Sequence, residues 1–121
     1  MTLVGSARLA AMAEAELNGT PSEDAAIAAE ISPCFIDRDG RRTDTVVLAC
    51  THYPLLLDRL TRLSPWPVSF LDPAPAIARR VLDLAGPPQL NAPPPTQFAF
   101  TSGKRPSPAL IAALARFGIG Q

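Results

Sequence analysis

Aromatic side chains are scarce in this sequence: Phe, Trp and Tyr together make up 6% of its 121 residues. A core must therefore be assembled from Ala, Leu, Val and Ile, since apolar residues overall reach 47%. Net charge is lacking too, with eleven basic residues against eleven acidic ones. That balance gives no general attraction to nucleic acid or to an anionic membrane, so neither is expected as a partner. No apolar run approaches the roughly 20 residues needed to span a bilayer. Met1-Thr2-Leu3-Val4-Gly5-Ser6 has no basic stretch leading into an apolar core, so no secretory leader is expected. The two cysteines, Cys34 and Cys50, are too few for a disulfide framework. A reduced, cytoplasmic protein is the expectation.

Proline, by contrast, is abundant. Seven of the fourteen prolines fall between Pro87 and Pro108, so residues 86–96 read as a non-regular connection. No internal repeat is evident. The length suits one small domain, which buries roughly two-thirds of its unfolded surface.

Leu3-Val4-Gly5 reads as the end of a short apolar strand. From Ser6 the pattern turns helical, with Leu9, Met12, Ala13 and Leu17 at three- and four-residue spacing. Ser6 suits the N-cap and Gly19 the C-terminal stop. A second helix is expected after Pro21, capped by Ser22, with Glu23 and Asp24 in its first turn and Ala26, Ile27 and Ile31 on its apolar face. Asp37-Arg38-Asp39-Gly40-Arg41-Arg42 is a polar turn. Thr45-Val46-Val47-Leu48-Ala49 is continuously apolar, the pattern of a central parallel strand covered on both faces. Thr51-His52-Tyr53 makes the next turn, and Pro54 suits the first position of a helix carrying Leu55, Leu56, Leu60 and Leu63. Val68-Ser69-Phe70-Leu71 reads as another strand, followed at Asp72-Pro73 by a helix through Ile77, Val81, Leu82 and Leu84. Residues 97–101 read as a short strand. Ser107 and Pro108 open a last helix with Leu110, Ile111, Leu114 and Phe117 in its stripe. Strands alternating with helices predict an α/β fold with a mainly parallel sheet flanked by helices.

In open parallel sheets, ligands bind beyond the carboxyl ends of the strands. Cys50, Thr51 and His52 stand at that end of the most strand-like segment. A polar turn running into a helix N-terminus, with an imidazole two residues away, favours the thiolate of a cysteine. Thr51 offers a hydroxyl, and the amides that follow can receive a carboxylate. Spacing alone thus suggests a thiolate-based anion site. On spacing alone, a cysteine that simply packs, with His52 stabilising the turn, is the commoner case.

Thr45-Val46-Val47-Leu48-Ala49-Cys50-Thr51-His52-Tyr53-Pro54-Leu55-Leu56 resembles the second cysteine signature of the glutamate racemases, in the aspartate/glutamate racemase superfamily. Leu3-Val4-Gly5-Ser6, Met12-Ala13-Glu14-Ala15-Glu16-Leu17, Phe70-Leu71-Asp72 and Phe100-Thr101-Ser102-Gly103 follow in family order. The resemblance covers nearly the whole chain and corresponds to the C-terminal half of the family. Ala49 stands where many relatives carry glycine. The resemblance implies cofactor-independent interconversion of L- and D-glutamate for peptidoglycan, with no metal. Cys50 is then one of two acid/base thiols, and His52 supports it. Glu14 is the acid that orients His52, with Glu16 as a rival, and Thr51, with His52, binds substrate. Cys34, in Pro33-Cys34-Phe35, has no family match and is expected to pack. Asp72 and Ser102 suit capping or turn roles.

Family members run to about twice this length, and their Asp-Ser-Gly motif and opposing cysteine have no counterpart in these residues. Three parts are expected: residues 1–85 as a partial C-terminal racemase domain, residues 86–96 as the connection, and residues 97–121 as a strand and helix that pack on an N-terminal domain. The helix at 109–117 would then expose its apolar stripe. A fragment inactive by itself is expected, with glutamate as substrate and a complementary N-terminal racemase half or a second copy as partner. The alternatives are an aspartate or hydantoin racemase-like enzyme, or a non-catalytic remnant or binding module of this fold.

Overall fold

The computed structural model describes residues 1–87 and 99–119. Helix α1 (Leu9–Leu17) starts at the first residue of its apolar spacing with Arg8, not Ser6, at the N-cap, but Ser6 still serves its start: the Ser6 hydroxyl accepts from the Leu9 amide at 2.9 Å. At the other end Gly19 takes φ +78°, and the Thr20 amide reaches back to the Ala15 carbonyl at 2.9 Å. This closes the helix as a left-handed glycine cap does. A β-carbon on Gly19 would also stand 3.1 Å from the Ala109 β-carbon. Gly19→Ala is therefore expected to cost about 1–2 kcal/mol for the left-handed backbone alone. Thermal melting checks this, and an unchanged melting temperature would contradict it.

Helix α2 (Asp24–Ile31) starts one turn-residue later than expected, with Glu23 in place of Ser22 as its N-cap. The Ser22 carbonyl instead accepts from Arg59. A 3₁₀ turn over Ser32–Cys34 carries Pro33. The polar stretch that follows is a hairpin: β1 (Asp37–Arg38) pairs antiparallel with β2 (Arg41–Arg42). Asp39 and Gly40 at its tip both have positive φ, as two-residue Asp-Gly hairpin turns require. Arg42 lies over the Trp66 ring, which also meets Phe35 edge-on with centroids 5.5 Å apart.

Strand β3 (Thr45–Val47) pairs in parallel with β4 (Ser69–Leu71), in the register Thr45–Ser69, Val46–Phe70, Val47–Leu71. The expectation of a central strand covered on both faces is not met. Among the described residues these two strands form their own sheet, and Val47 is 57% exposed. An apolar run reports that a strand can be buried on both faces, whereas its actual cover depends on neighbouring strands and helices. Residues 3–5 form no strand, and Leu3 is exposed; a strand exists only with a partner to receive its backbone groups. Ala99 and Phe100 likewise lie outside any strand, while residues 97 and 98 and most of the proline-rich connection lie outside the described residues.

After β3 the chain forms a 3₁₀ turn over Tyr53–Leu56, with α3 (Leu57–Leu63) following. Ser64 is extended, as a residue before proline must be. Leu9, Met12, Ala13, Ile27, Ile31, Leu48, Leu56 and Leu60 form one core, into which α1, α2, α3 and the end of β3 each contribute. Helix α4 (Ala74–Ala85) is opened by Asp72, whose carboxylate accepts from the Ala74 amide at 2.9 Å. Its apolar residues Ile77, Val81, Leu82 and Leu84 all remain exposed. Helix α5 (Pro108–Ala115) is capped by the Ser107 hydroxyl, which accepts from the Leu110 amide. It lies against the C-terminal end of α1, where Ser107 also donates to the Asn18 side chain, while Ile111 and Phe117 stay exposed.

Candidate active site

Three elements converge at the carboxyl end of β3. Leu48 continues the parallel pairing, its amide donating to the Leu71 carbonyl at 2.9 Å, and its side chain is buried in the core. That anchor turns the chain outward, leaving Cys50 half-buried and Thr51 exposed. The Tyr53 amide donates to the Cys50 carbonyl at 3.2 Å, and the Leu55 amide to the His52 carbonyl at 3.1 Å. These two bonds wind residues 50–55 into the turn that places His52 beside the thiol. Helix α1 packs against this same turn and supplies a carboxylate from its middle.

The side chains form a short relay. Cys50 Sγ lies 3.7 Å from His52 Nδ1, and Thr51 Oγ1 lies 3.4 Å from the same nitrogen. On the far side of the ring, His52 Nε2 lies 3.2 Å from Glu14 Oε1, with side-chain exposures of 37% and 64%. A carboxylate only accepts, so Nε2 must carry the hydrogen in that contact. In the neutral ring this leaves Nδ1 as the acceptor facing Cys50 and Thr51, and in the charged ring Nδ1 faces the thiolate as a donor. The arrangement can therefore take a proton from a thiol, or hold the thiolate that results, without displacing any of the three groups.

Of the two acids weighed on α1, only Glu14 reaches His52. Glu16, two residues on, meets Arg59 of α3 at 2.7 Å. Arg59 also donates to Asp24 Oδ1 and to the Ser22 carbonyl, and Arg62 pairs with Asp24 at 2.6 Å. The Arg62 and then the Arg59 hydrogen bonds hold the Asp24 carboxyl down at about 2, from an ordinary 3.8. With the folded value below the unfolded one, this contribution to stability is complete above about pH 4. It is lost as pH falls through about 2. Melting followed against pH should show that loss, and Asp24→Asn should flatten it; equal acid sensitivity in the variant would contradict it.

Cys34 is half-buried beside Pro33, and burial pushes its thiol up, so it suits packing and not attack. Burial first, then charge on Cys50, Cys34 and Glu30, pushes the Tyr53 phenol up. Ser102 accepts from the Lys104 amide within a turn at Gly103. Sequence reasoning passed over Arg59. Its one signal was the Arg59–Arg62 spacing, which puts two cations on one face of α3.

No family model matches the chain. It is 58% identical over 105 residues to glutamate racemase of Agrobacterium fabrum, an alignment covering 84% of this chain and 38% of the relative. With glutamate racemase of Sinorhizobium fredii it shares 55% over 106 residues, covering 84% and 39%. With that of Brucella canis it shares 60% over 82 residues, covering 68% and 30%. Among solved structures, Escherichia coli glutamate racemase, in complex with L-glutamate and the activator UDP-MurNAc-Ala, superposes with a TM-score of 0.70 at 30% identity. That match covers 96% of this chain and 44% of the other. The chain thus spans about two-fifths of the length of the curated relatives it matches, and over that span it is similar to glutamate racemases in both sequence and structure.

Proposed function

We propose that this chain supplies one side of a two-thiol glutamate racemase site, corresponding to the C-terminal half of the enzyme. The observation that carries this is the relay Cys50–His52–Glu14 at the carboxyl end of β3, in a segment so close to glutamate racemases. The α-proton of an amino acid is very weakly acidic, and racemisation must take it from one face and return another to the opposite face. Cys50, as thiolate, forms an S–H bond as the α-C–H bond breaks, and the electron pair passes to the α-carbon and its carboxylate. A thiol on the other face then protonates that carbon. Nδ1 of His52 holds or relays the Cys50 proton, Glu14 keeps the ring oriented, and the Thr51 hydroxyl with the backbone amides of Thr51 and His52 receives the substrate carboxylate.

The other face needs a thiol that Cys34 does not provide, since it sits beside Pro33 with its proton held more tightly. The partner is therefore a polypeptide carrying the complementary racemase half. The assembly needs no cofactor and furnishes D-glutamate for peptidoglycan and cell shape in the cytoplasm. Among the described residues no helix is long and apolar enough to cross a membrane. Circular dichroism during conversion of D-glutamate tests the reading. No net racemisation is expected from this chain alone, and turnover is expected once a complementary half is added. Robust turnover by the chain alone would overturn the half-site assignment.

A further inference from the structure

Glu14 can serve His52 only while α1 keeps its register against the Cys50 turn, and the structure shows what sets that register. Apolar contact through Leu9, Met12 and Ala13 holds α1 down on the core but is non-directional. A slip of one residue moves the helix by about 1.5 Å, enough to carry a hydrogen bond out of reach. Just before α1, Ser6 Oγ and Arg8 Nε meet Glu30 of α2 at 2.6 and 3.4 Å, and within the helix a further directional contact lies nearer its C-terminal end. Arg59, only 16% exposed, donates from Nη1 to Glu16 Oε2 at 2.7 Å. It is itself fixed: Nε and Nη2 both reach Asp24 Oδ1, at 3.2 and 2.6 Å, and Nη2 also reaches the Ser22 carbonyl. Arg62 holds the same Asp24 from the next turn of α3.

We infer that Arg59 is a positioning residue for the candidate site: by holding Glu16 it fixes α1 in the register that brings Glu14 to His52. The inference rests on the reading of Cys50, His52 and Glu14 given above. It assigns a task to a guanidinium that touches none of them. An ammonium cannot reproduce it, because three acceptors on α1, on α2 and just before α2 are met at once by a rigid planar fork.

The test uses the chain itself and needs no turnover. The ¹⁵N shifts of the His52 ring report which nitrogen carries the hydrogen, and the rate of Cys50 alkylation by iodoacetamide, in a Cys34→Ala background, reports the thiol. Glu14→Ala is expected to move the ring shifts and to slow alkylation by roughly fivefold, the size of one lost hydrogen bond. Arg59→Met and Glu16→Ala should move both readouts in the same direction, and Arg59→Lys should not restore them. In a Glu14→Ala background, Arg59→Met should add nothing to either, although it still lowers the melting temperature. Glu16→Ala keeps the bonds from Arg59 to Asp24, so it remains informative if Arg59→Met does not fold. Wild-type ring shifts in Glu16→Ala, or an undiminished effect of Arg59→Met without Glu14, would overturn the positioning role. Insensitivity to Glu14→Ala itself would instead overturn the reading of the site.

Discussion

Cys50→Ala is expected to lower glutamate racemisation by about 10²–10⁴-fold, the range for losing one positioned acid/base group. The measurement is made on this chain assembled with a complementary racemase half. The melting temperature should barely change, because the thiol is half-buried and lies outside the buried core to which Leu48 and Leu56 contribute. That separation makes the result decisive. A variant that folds as well as the parent but does not racemise has lost chemistry and not structure. Replacing Cys34 in the same way should leave racemisation intact, since burial holds that proton and His52 faces Cys50, Thr51 and Glu14. Racemisation that survives in Cys50→Ala would remove the thiol from the mechanism.

The largest effect on stability is expected at Leu60. Its side chain is 1% exposed and shares the core with Ile27 and Leu56, where α2 and α3 pack together. Leu60→Ala removes buried methyl groups and leaves a cavity, a change that costs about 2–5 kcal/mol. Small domains have only about 5–15 kcal/mol in total. Among the described residues the core is eight buried residues, supplied by short helices, the 3₁₀ turn and the residue that follows β3. Urea denaturation should therefore show the midpoint falling by a large fraction of its value. Leu82→Ala on the exposed α4 should move it little. Equal effects at the two positions would mean that the core is not where α1, α2 and α3 meet.

Much of this core was legible because helical spacing is a direct consequence of burial. Leu9 with Met12 and Ala13, Ile27 with Ile31, and Leu56 with Leu60 stand at the three- and four-residue intervals that put side chains on one face, and those faces are buried. The same logic failed for Ile77, Val81, Leu82 and Leu84, which form an apolar face with nothing over it among the described residues. Periodicity tells which face would be buried, not whether anything is there to bury it. The apolar run at Thr45–Val47 misled in the same way, since two-sided cover is a property of neighbours. The helix expected from Pro54 begins as a 3₁₀ turn, which proline at an early position permits as readily as an α-turn.

The site was legible to a different degree. The adjacency of Cys50 and His52 follows from a two-residue separation in a tight turn, so local sequence could suggest it. Glu14 lies 38 positions before His52 in sequence, and no local rule links them; family order pointed to that helix, and the fold distinguishes Glu14 from Glu16. Arg59 was passed over, despite its spacing to Arg62, because a cation on a helix near other charges reads as solvated surface. Only the packing of α1 and α2 against α3 brings Glu16 and Asp24 to it.

Heavy-water exchange on the assembled enzyme tests the central claim most directly. Under single-turnover conditions starting from one enantiomer, product should carry deuterium at the α-carbon while recovered substrate stays protonated. That result is what two thiols on opposite faces require, with Cys50 on one of them. Deuterium appearing in recovered substrate as fast as in product would mean that one group serves both faces, and would contradict the assignment of Cys50 to one side of a two-sided transfer.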